Sequence, residues 1–353
     1  MINLFKSACL ATLLLFLGAC GDGRPAARGQ QDDQPEEALV TVYSHRGFEA
    51  DQELFQRFSE RTGIEVRVER GGADDLIRRL QQEGLESPAD ILMTVDAGRL
   101  HRAKTEGLFQ PVRSKVLEAN IPVHLRDPAG EWFGLTKRAR VIAYAREQVT
   151  PGQLSSYEDL ADARWKGRIL TGSADNIFTQ SLLASIILVH ARREAEAWAR
   201  DVVANMAGPP PADDRGRIMA LASGEADLAL VNTYSLALML KSGNPRETEA
   251  ARAIGVVFPN QQDRGAHVNI SGAGVARHAP HPGNAVRLLE FLSGEEAQRV
   301  FASSNCEYPV KEGVEWAEPL QEWGRFREDQ LSLTVVGVYN AEAVEIMGEV
   351  GWP

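Results

Sequence analysis

Polar side chains that could bind a ligand follow a short apolar run in the middle of the chain. Leu228–Val231 is the kind of run that predicts a strand buried on both faces of an α/β sheet. Thr233, Tyr234 and Ser235 come directly after it, at the carboxyl end where open α/β sheets bind their ligands. A helical pattern resumes at Leu236–Leu240, so this loop also lies near a helix N-terminus, which favours anions. We therefore predict that these three residues line a binding site.

A second group of candidates ends the first predicted strand. Tyr43, His45, Arg46 and Phe48 occur there within six positions. Because alternate side chains of a strand share a face, His45 could form a metal site with Tyr43 and Tyr234. The other interpretation, a surface or hydrogen-bonded histidine, is favoured.

Charged and amide side chains on the remaining extended segments complete the candidate set. Arg46, Arg138 and Arg140 could each bind a carboxylate through two N–H groups, although we expect at least one to be only solvated or salt-bridged. Asp96 ends a buried strand and could contact ligand or cap the next helix. Asn269 could orient ligand or fix a hinge.

Three aromatic residues allow two interpretations each. Tyr234 is either a ligand-facing residue or a buried tyrosine bonded to a backbone carbonyl, and its polar loop favours the first. Phe48 and Phe178 stand near predicted helix starts, where aromatic residues usually belong to the core.

Composition excludes several classes of protein. The chain has 353 residues, of which 44% are hydrophobic and 25% charged, and this length suggests about two domains. A net charge of −11 disfavours a nucleic-acid partner. No serine-nucleophile elbow, phosphate loop, dinucleotide fingerprint or zinc-protease motif occurs. We therefore expect a monomeric protein that is not an enzyme and needs no cofactor.

The N-terminus has the pattern of an export signal. An apolar run, Ala8–Leu17, leads into Leu17-Gly18-Ala19-Cys20, which looks like a bacterial lipobox. We predict a signal peptide over residues 1–19, lipidation of Cys20 and a disordered tether over residues 20–37. An ordinary secretory signal is the alternative. The mature protein is expected in the periplasm or at the cell surface, anchored to a membrane.

The elements that must position these side chains are predicted from periodicity. Strands alternate with helices through the first hundred residues, which implies a parallel, doubly wound sheet. Two extended segments, near residues 134–144 and 265–275, connect this unit to a second α/β unit. We predict two lobes with a double hinge, lobe 1 comprising residues 38–138 plus 268–353 and lobe 2 residues 139–267. Hinge closure would trap a ligand between them.

Several ordered blocks of the chain resemble one known family. They include Thr94-Val-Asp-Ala-Gly-Arg-Leu100, Trp165-Lys-Gly-Arg168, Val231-Asn-Thr-Tyr234 and His267-Val-Asn-Ile-Ser-Gly-Ala-Gly274. These blocks are similar to the ferric-iron-binding periplasmic proteins of ABC importers, and the similarity runs from about Leu39 to the C-terminus. The resemblance implies an α/β fold of the two-lobed class II periplasmic-binding-protein type, with an ABC permease as partner.

The resemblance also implies where iron would bind. In the tyrosine-rich branch of that family, a His-Tyr pair, a single Tyr and a Tyr-Tyr pair hold the metal. The matching residues here are Gly47, Phe48, Phe178, Tyr234 and Ser235, so only Tyr234 agrees. Iron(III) needs hard oxygen or imidazole donors, and phenylalanine supplies neither. From this we predict no metal, or Tyr234 alone as protein ligand if iron is bound.

The substitutions suggest a change of cargo. Two apolar rings and a glycine in place of polar donors would make a roomier, more apolar pocket of the kind that binds organic molecules. We therefore expect an organic, partly apolar ligand, lipid- or sterol-like. One alternative is a protein that binds ferric or chelated iron for an ABC importer. Another is a sensor or lipid-handoff lipoprotein that works without an ABC permease.

Overall fold

A computed structural model describes residues 37–353 of the chain. The predicted signal peptide, Cys20 and all but the last residue of the predicted tether lie outside the described residues. Within residues 37–353, no helix is long and apolar enough to cross a membrane.

The first part of the chain alternates strands and helices, as expected. Its elements are β1 (Leu39–Ser44), α1 (Glu49–Thr62), β2 (Glu65–Arg70), α2 (Ala73–Glu83), β3 (Ile91–Val95), α3 (Ala97–Thr105) and α4 (Lys115–Asn120). Strand β1 pairs in parallel with both β2 and β3. Helix α1 buries Leu54, Phe55 and Phe58 on one face, and it ends at Gly63, which adopts a positive φ of 73°.

The middle of the chain contains a second set of elements. They are β4 (Phe133–Ala145), β5 (Ile169–Leu170), α5 (Ile177–Ala204), α6 (Asp214–Ala222), β6 (Leu228–Asn232), α7 (Thr233–Leu240), α8 (Pro245–Arg252) and β7 (Ile254–Val257). Helix α5 consists of two helical stretches that meet at Ala191. That residue breaks the helix with φ 63° and ψ 167°.

The C-terminal part of the chain begins with a strand that pairs with β3 and β4, and it continues mostly as helices. Its elements are β8 (Val268–Val275), α9 (Pro282–Ser293), α10 (Glu295–Asn305), β9 (Tyr308–Pro309), α11 (Glu318–Glu322), α12 (Leu333–Val338) and α13 (Asn340–Val350). Strand β8 runs antiparallel to both β3 and β4. The last helix, α13, packs against α5.

Strand β4 is central to the sheet, because it pairs with different strands along its length. The strand order is β2-β1-β3-β8-β4-β6-β5, and β7 and β9 also pair with β4. Arg138 lies opposite Asn269 of β8, whereas Arg140 lies opposite Asn232 of β6. The change of strand partner therefore falls between Arg138 and Arg140, which are both candidate site residues. It also falls near the predicted hinge, although the lobe limits given above stay a prediction.

The two faces of β4 enter two different hydrophobic cores. Ile142 and Tyr144 pack in the larger core, and Val141 and Ala143 pack in the smaller one. This alternation follows from the period of two residues in a strand. Arg138 and Arg140 share the parity of Ile142, so their side chains leave the same face of β4.

Candidate functional site

A small buried cavity lies where β3, β4, β6 and β8 meet the start of α5. Its volume is about 10 Å³, room for a single atom of the size of a water oxygen. The residues that line it are mostly charged or amide-bearing: Asp96, Arg138, Arg140, Phe178, Asn232, His267 and Asn269. Five of these seven belong to the candidate set predicted above.

Asp96 caps a helix and also binds a cavity arginine. It follows β3 with a positive φ of 80°, and its Oδ1 accepts a hydrogen bond of 2.9 Å from the Gly98 N–H in the first turn of α3. The Ser181 hydroxyl also donates to Oδ1, and Arg138 Nη2 donates to Oδ2 at 3.2 Å. The capping role is therefore present, and the carboxylate also joins β3 to α5 and β4.

The two cavity arginines are buried but incompletely paired. Arg138 stacks over the Phe178 ring at 4.6 Å, and Arg140 Nη1 donates to Asp214 at 3.2 Å. Within residues 37–353, Arg138 Nε and Arg140 Nε and Nη2 have no hydrogen-bond partner. Burial lowers the pKa of Arg140, and the adjacent Arg217 lowers it further. Both guanidinium groups thus have N–H groups available to an acceptor that enters the cavity.

His267 and Asn269 present two further unpaired nitrogens. Asn269 Oδ1 accepts from the backbone N–H groups of Ala97 and Ile270, which fixes the amide and leaves Nδ2 without a partner in the described part of the chain. His267 Nδ1 lies 3.2 Å from Asp329 Oδ2, and its Nε2 is also unpaired there. Asn269 therefore both fixes the backbone and points a donor group into the site.

Asp214 organises the second side of the cavity. Its Oδ2 accepts from the Asn232 N–H at 2.8 Å and the Ser235 hydroxyl at 2.9 Å, and its Oδ1 accepts from Arg140 and Arg217. Burial by itself would raise the pKa of this carboxyl, but Arg140 and Arg217 lower it to about 2. Asp214 is therefore an anion that holds two cations and the end of β6.

Tyr234 lies beside one of the predicted aromatic residues. Its half-buried ring meets Phe48 edge-on, with 6.3 Å between ring centroids and an interplanar angle of 86°. Desolvation and the nearby Asp214 raise the pKa of Tyr234. Its phenol therefore keeps its proton at neutral pH when the site is empty.

Arg46 lies behind Phe48, in a network of its own. Its guanidinium is 5.0 Å from the Phe48 ring centroid. It forms salt bridges to Asp51 at 3.0 Å and Glu307 at 2.9 Å, and its Nη1 also donates to Thr136. All three arginines form salt bridges, Arg138 to Asp96 and Arg140 to Asp214, but Arg46 is the one whose three guanidinium nitrogens all have partners.

The structure does not bring Tyr43 to this site. Its hydroxyl donates to the Glu83 carboxylate of α2 at 2.8 Å, and Arg79 covers its ring. Tyr43 was grouped with His45 because alternate side chains of a strand share a face. In the structure, however, the Tyr43 side chain packs toward α2. His45 lies near Arg99, and burial together with that positive charge lowers the pKa of His45. The metal site considered for Tyr43, His45 and Tyr234 is therefore not assembled.

Thr233 and Ser235 serve the backbone and Asp214. Thr233 Oγ1 accepts from the Ala139 N–H at 3.2 Å, which ties β6 to β4 at the change of partners. Ser235 Oγ donates to Asp214. The predicted loop is the first turn of α7 in the structure. Thr233 and Ser235 hold that turn in place, and Tyr234 is the residue of the turn that meets another candidate side chain.

Sequence reasoning left out several residues of the site. Asp214 and Glu307, which neutralise the arginines, carry no recognisable pattern in the sequence, because one opens an ordinary helix and the other follows a buried cysteine. His267 could have been found, since it stands two residues before Asn269 on the same extended segment and has the same strand parity.

The side chains do not form a conventional metal centre by themselves. Within residues 37–353, no group of three or more His, Cys, Asp and Glu residues is placed to hold a metal ion. The cavity instead offers N–H groups, which suit an anion.

The fold and this site define a class of binding protein. Residues 86–327 match the family described as bacterial extracellular solute-binding protein. The expectation that the protein is not an enzyme is confirmed by this match, because the members of this family bind solutes.

Individual relatives make the assignment narrower. The chain is 45% identical to iron uptake protein A1 of Synechocystis, over 95% of this chain and 93% of the relative. It is also 45% identical to Trichodesmium IdiA (FutA), solved in complex with iron and citrate ligands, with a TM-score of 0.87 over 89% of this chain and 100% of that one. Apo FutA2 of Synechocystis has 42% identity and a TM-score of 0.85, over 90% of this chain and 99% of that one. This chain belongs to the ferric-iron-binding periplasmic solute-binding protein family, and the predicted α/β periplasmic-binding-protein fold is confirmed.

The predicted change of cargo is wrong. An organic, partly apolar, lipid- or sterol-like ligand was inferred from the loss of iron-binding side chains, but proteins 42–45% identical to this chain are iron uptake proteins. The inference assumed that the protein must supply the iron ligands. In the Trichodesmium complex, iron is accompanied by citrate, a molecule that carries oxygen donors of its own.

Proposed function

We propose that this protein is the extracytoplasmic cargo-binding component of an iron-uptake ABC importer, and that it binds iron(III) as a complex with a carboxylate-bearing chelator. The observation that carries the proposal is the set of buried, unpaired N–H groups of Arg138, Arg140 and Asn269 around one cavity. The relationship to iron uptake proteins supports iron as the metal.

The charges around the cavity favour an anionic cargo. Three guanidinium groups, of Arg138, Arg140 and Arg217, face the carboxylates of Asp96 and Asp214. Among these five groups, the guanidinium cations outnumber the carboxylates by one. A carboxylate oxygen of the chelator would accept from the free N–H groups and neutralise that charge, and charge-assisted hydrogen bonds of this kind are the strong ones.

The coordination chemistry requires the chelator. Iron(III) prefers several hard oxygen donors, and Tyr234 is the candidate residue that could offer one phenolate. Hydroxycarboxylates such as citrate supply carboxylate and hydroxyl oxygens themselves. The complex of the Trichodesmium relative with iron and citrate is consistent with such a cargo.

Membrane attachment and hand-over complete the proposal. Cys20 would carry the lipid anchor and residues 21–37 would tether the binding domain. The loaded protein would then dock on an ABC permease. Globomycin treatment of the producing cells tests the anchor, because accumulation of the unprocessed precursor is expected if Cys20 is lipidated and a Cys20→Ala variant should show no lipid-modified form.

The cargo is tested by loading purified protein with ferric citrate and removing free ligand on a desalting column. Iron is measured by elemental analysis and citrate by mass spectrometry. We expect both to be retained in a fixed ratio, and an Arg140→Gln variant to lose both together. Arg200→Gln is a suitable control, because Arg200 is exposed, pairs with Glu196 within α5 and does not line the cavity. Retention of neither iron nor citrate by the wild type would refute the proposal.

A further inference from the structure

Two phenyl rings stand where the site could otherwise offer oxygen to a metal. Phe48 is half-buried and packs edge-on against Tyr234, whose hydroxyl is a potential metal donor. On its other side lies the Arg46 guanidinium, 5.0 Å from the ring centroid. Phe48 therefore fills the space between a phenol and a cation with carbon and hydrogen alone.

Phe178 has a similar arrangement with a second arginine. It lies in the first turn of α5, is half-buried, lines the cavity, and carries the Arg138 guanidinium 4.6 Å from its ring centroid. A guanidinium over an aromatic face is attracted by the ring quadrupole. Each ring thus holds an arginine in place while it offers no atom that can bind a metal.

Resting on the function proposed above, we propose that Phe48 and Phe178 determine which form of iron the site accepts. They admit iron(III) that arrives with its coordination shell already filled by a chelator, and they exclude the aquo and hydroxo ion. A bare ion would exchange strongly bound water for the single phenol of Tyr234, next to the cations of Arg46 and Arg138, which is unfavourable. An anionic chelate meets apolar rings and unpaired N–H groups, and it gives up no metal ligand.

The positions of the arginines beside the two rings also predict how the preference for chelated iron could be reversed. A hydroxyl added to either ring would lie near a guanidinium, and a neighbouring positive charge stabilises the ionised form of an acid. Phe48→Tyr and Phe178→Tyr would therefore each add a phenol beside a guanidinium, and the first of them would also lie next to Tyr234. We expect the double variant to bind iron(III) directly.

The experiment compares two sources of iron. One is ferric citrate, and the other is ferrous sulfate oxidised by dissolved oxygen in citrate-free buffer in the presence of the protein. Wild type is expected to retain iron, with citrate, from the first source and to retain none from the second. The double variant is expected to retain iron from both sources and to gain a visible tyrosinate-to-iron charge-transfer band in citrate-free buffer.

Two control variants separate the added oxygen from other effects. Phe291→Tyr changes a half-buried phenylalanine that also lies under an arginine, Arg61 at 5.1 Å, but on the α1–α9 side of the molecule. It should leave the wild-type pattern unchanged. Phe178→Leu removes the ring without adding a donor, so no charge-transfer band should appear. Circular dichroism of each variant confirms that it is folded.

The outcomes distinguish the two proposals. If the double variant stays dependent on citrate and colourless, the role of the two phenylalanines is refuted and the iron-chelate function stands. If wild type retains iron from the citrate-free source, the role of the phenylalanines and the need for a chelator are both refuted. If neither wild type nor any variant retains iron from either source, both proposals are refuted.

Discussion

The buried Arg46 and the two cavity arginines, Arg138 and Arg140, differ in how completely their guanidinium nitrogens are paired. Arg46, behind Phe48, donates to Asp51, Glu307 and Thr136, so that all three of its nitrogens have partners. The side chains of Arg138 and Arg140 are equally buried, at 2% exposure, yet within the described residues Arg138 leaves one nitrogen unpaired and Arg140 leaves two. Arg46 therefore stabilises the fold, whereas Arg138 and Arg140 have N–H groups that can bind a ligand.

The physical reason is the cost of a buried donor without an acceptor. Leaving a buried polar group unsatisfied costs about 1–3 kcal/mol, and more when the group is charged. The Arg46 network avoids that cost within the protein alone. The cavity arginines avoid it only when something else supplies acceptors, and this is the property expected of a binding site.

Removing an acceptor from the Arg46 network should produce the largest effect on stability. Glu307→Gln leaves a buried guanidinium short of one charge partner, and breaking a buried ion pair of this kind typically costs about 3–5 kcal/mol. We expect a lower free energy of unfolding, measured by urea titration. Glu295→Gln, in the exposed pair with Arg299, should change it by less than about 1 kcal/mol. Similar values for both variants would contradict the structural role of Arg46.

Changing a cavity arginine should act mainly on binding. Arg140→Gln removes two unpaired N–H groups and the adjacent positive charge, and a hydrogen bond to a charged group contributes about 1.5–3 kcal/mol. The affinity for ferric citrate, measured by isothermal titration calorimetry, should fall by at least about tenfold. Its effect on the free energy of unfolding should be smaller than that of Glu307→Gln, and the reverse order would overturn the comparison.

Acid should weaken the cavity side through Asp214. Its pKa is lowered from 3.8 to about 2 in the folded protein, so its contribution to stability is present above pH 4 and is lost as the pH falls toward 2. The contribution is on the order of 2 kcal/mol. The free energy of unfolding of Asp214→Asn should therefore depend less on pH between 4 and 2 than that of wild type. An unchanged slope would show that Asp214 is not held by Arg140 and Arg217 in solution.

A single hydrogen bond to the same carboxylate gives the smallest expected effect. Ser235→Ala removes one of several donors to Asp214, and a typical hydrogen bond contributes about 1 kcal/mol net. The free energy of unfolding should fall by about that amount, with little change in affinity for ferric citrate. Loss of binding in this variant would assign Ser235 to the cargo and not to the support of Asp214.

Much of the fold could be predicted from local patterns. The apolar runs around Val40, Leu92 and Leu230 predicted strands correctly, because strands that are buried on both faces need such runs. The helix break at Ala191 could not be predicted, since nothing in the local sequence requires a positive φ there.

The site was partly predictable for a related reason. Arg138, Arg140 and Asn269 were found because they are charged or amide side chains on the predicted extended segments. Asp214 and Glu307 were not, because their role depends on which arginine lies opposite in three dimensions. The cargo was mispredicted because the sequence shows only the donors that the protein supplies and not those that a ligand brings with it.

Strand β4 also has a consequence for the order in which the protein folds. Each strand that pairs with it, β6, β7, β8 and β9, comes later in the chain. When the chain becomes available from its N-terminal end, β1, β2 and β3 can pair early, but β4 has no strand partner until about residue 228 is available. Pairing over such sequence distances is slow. The arginines on β4 therefore stay unassembled until most of the chain exists, and the binding site is completed among the last parts of the molecule.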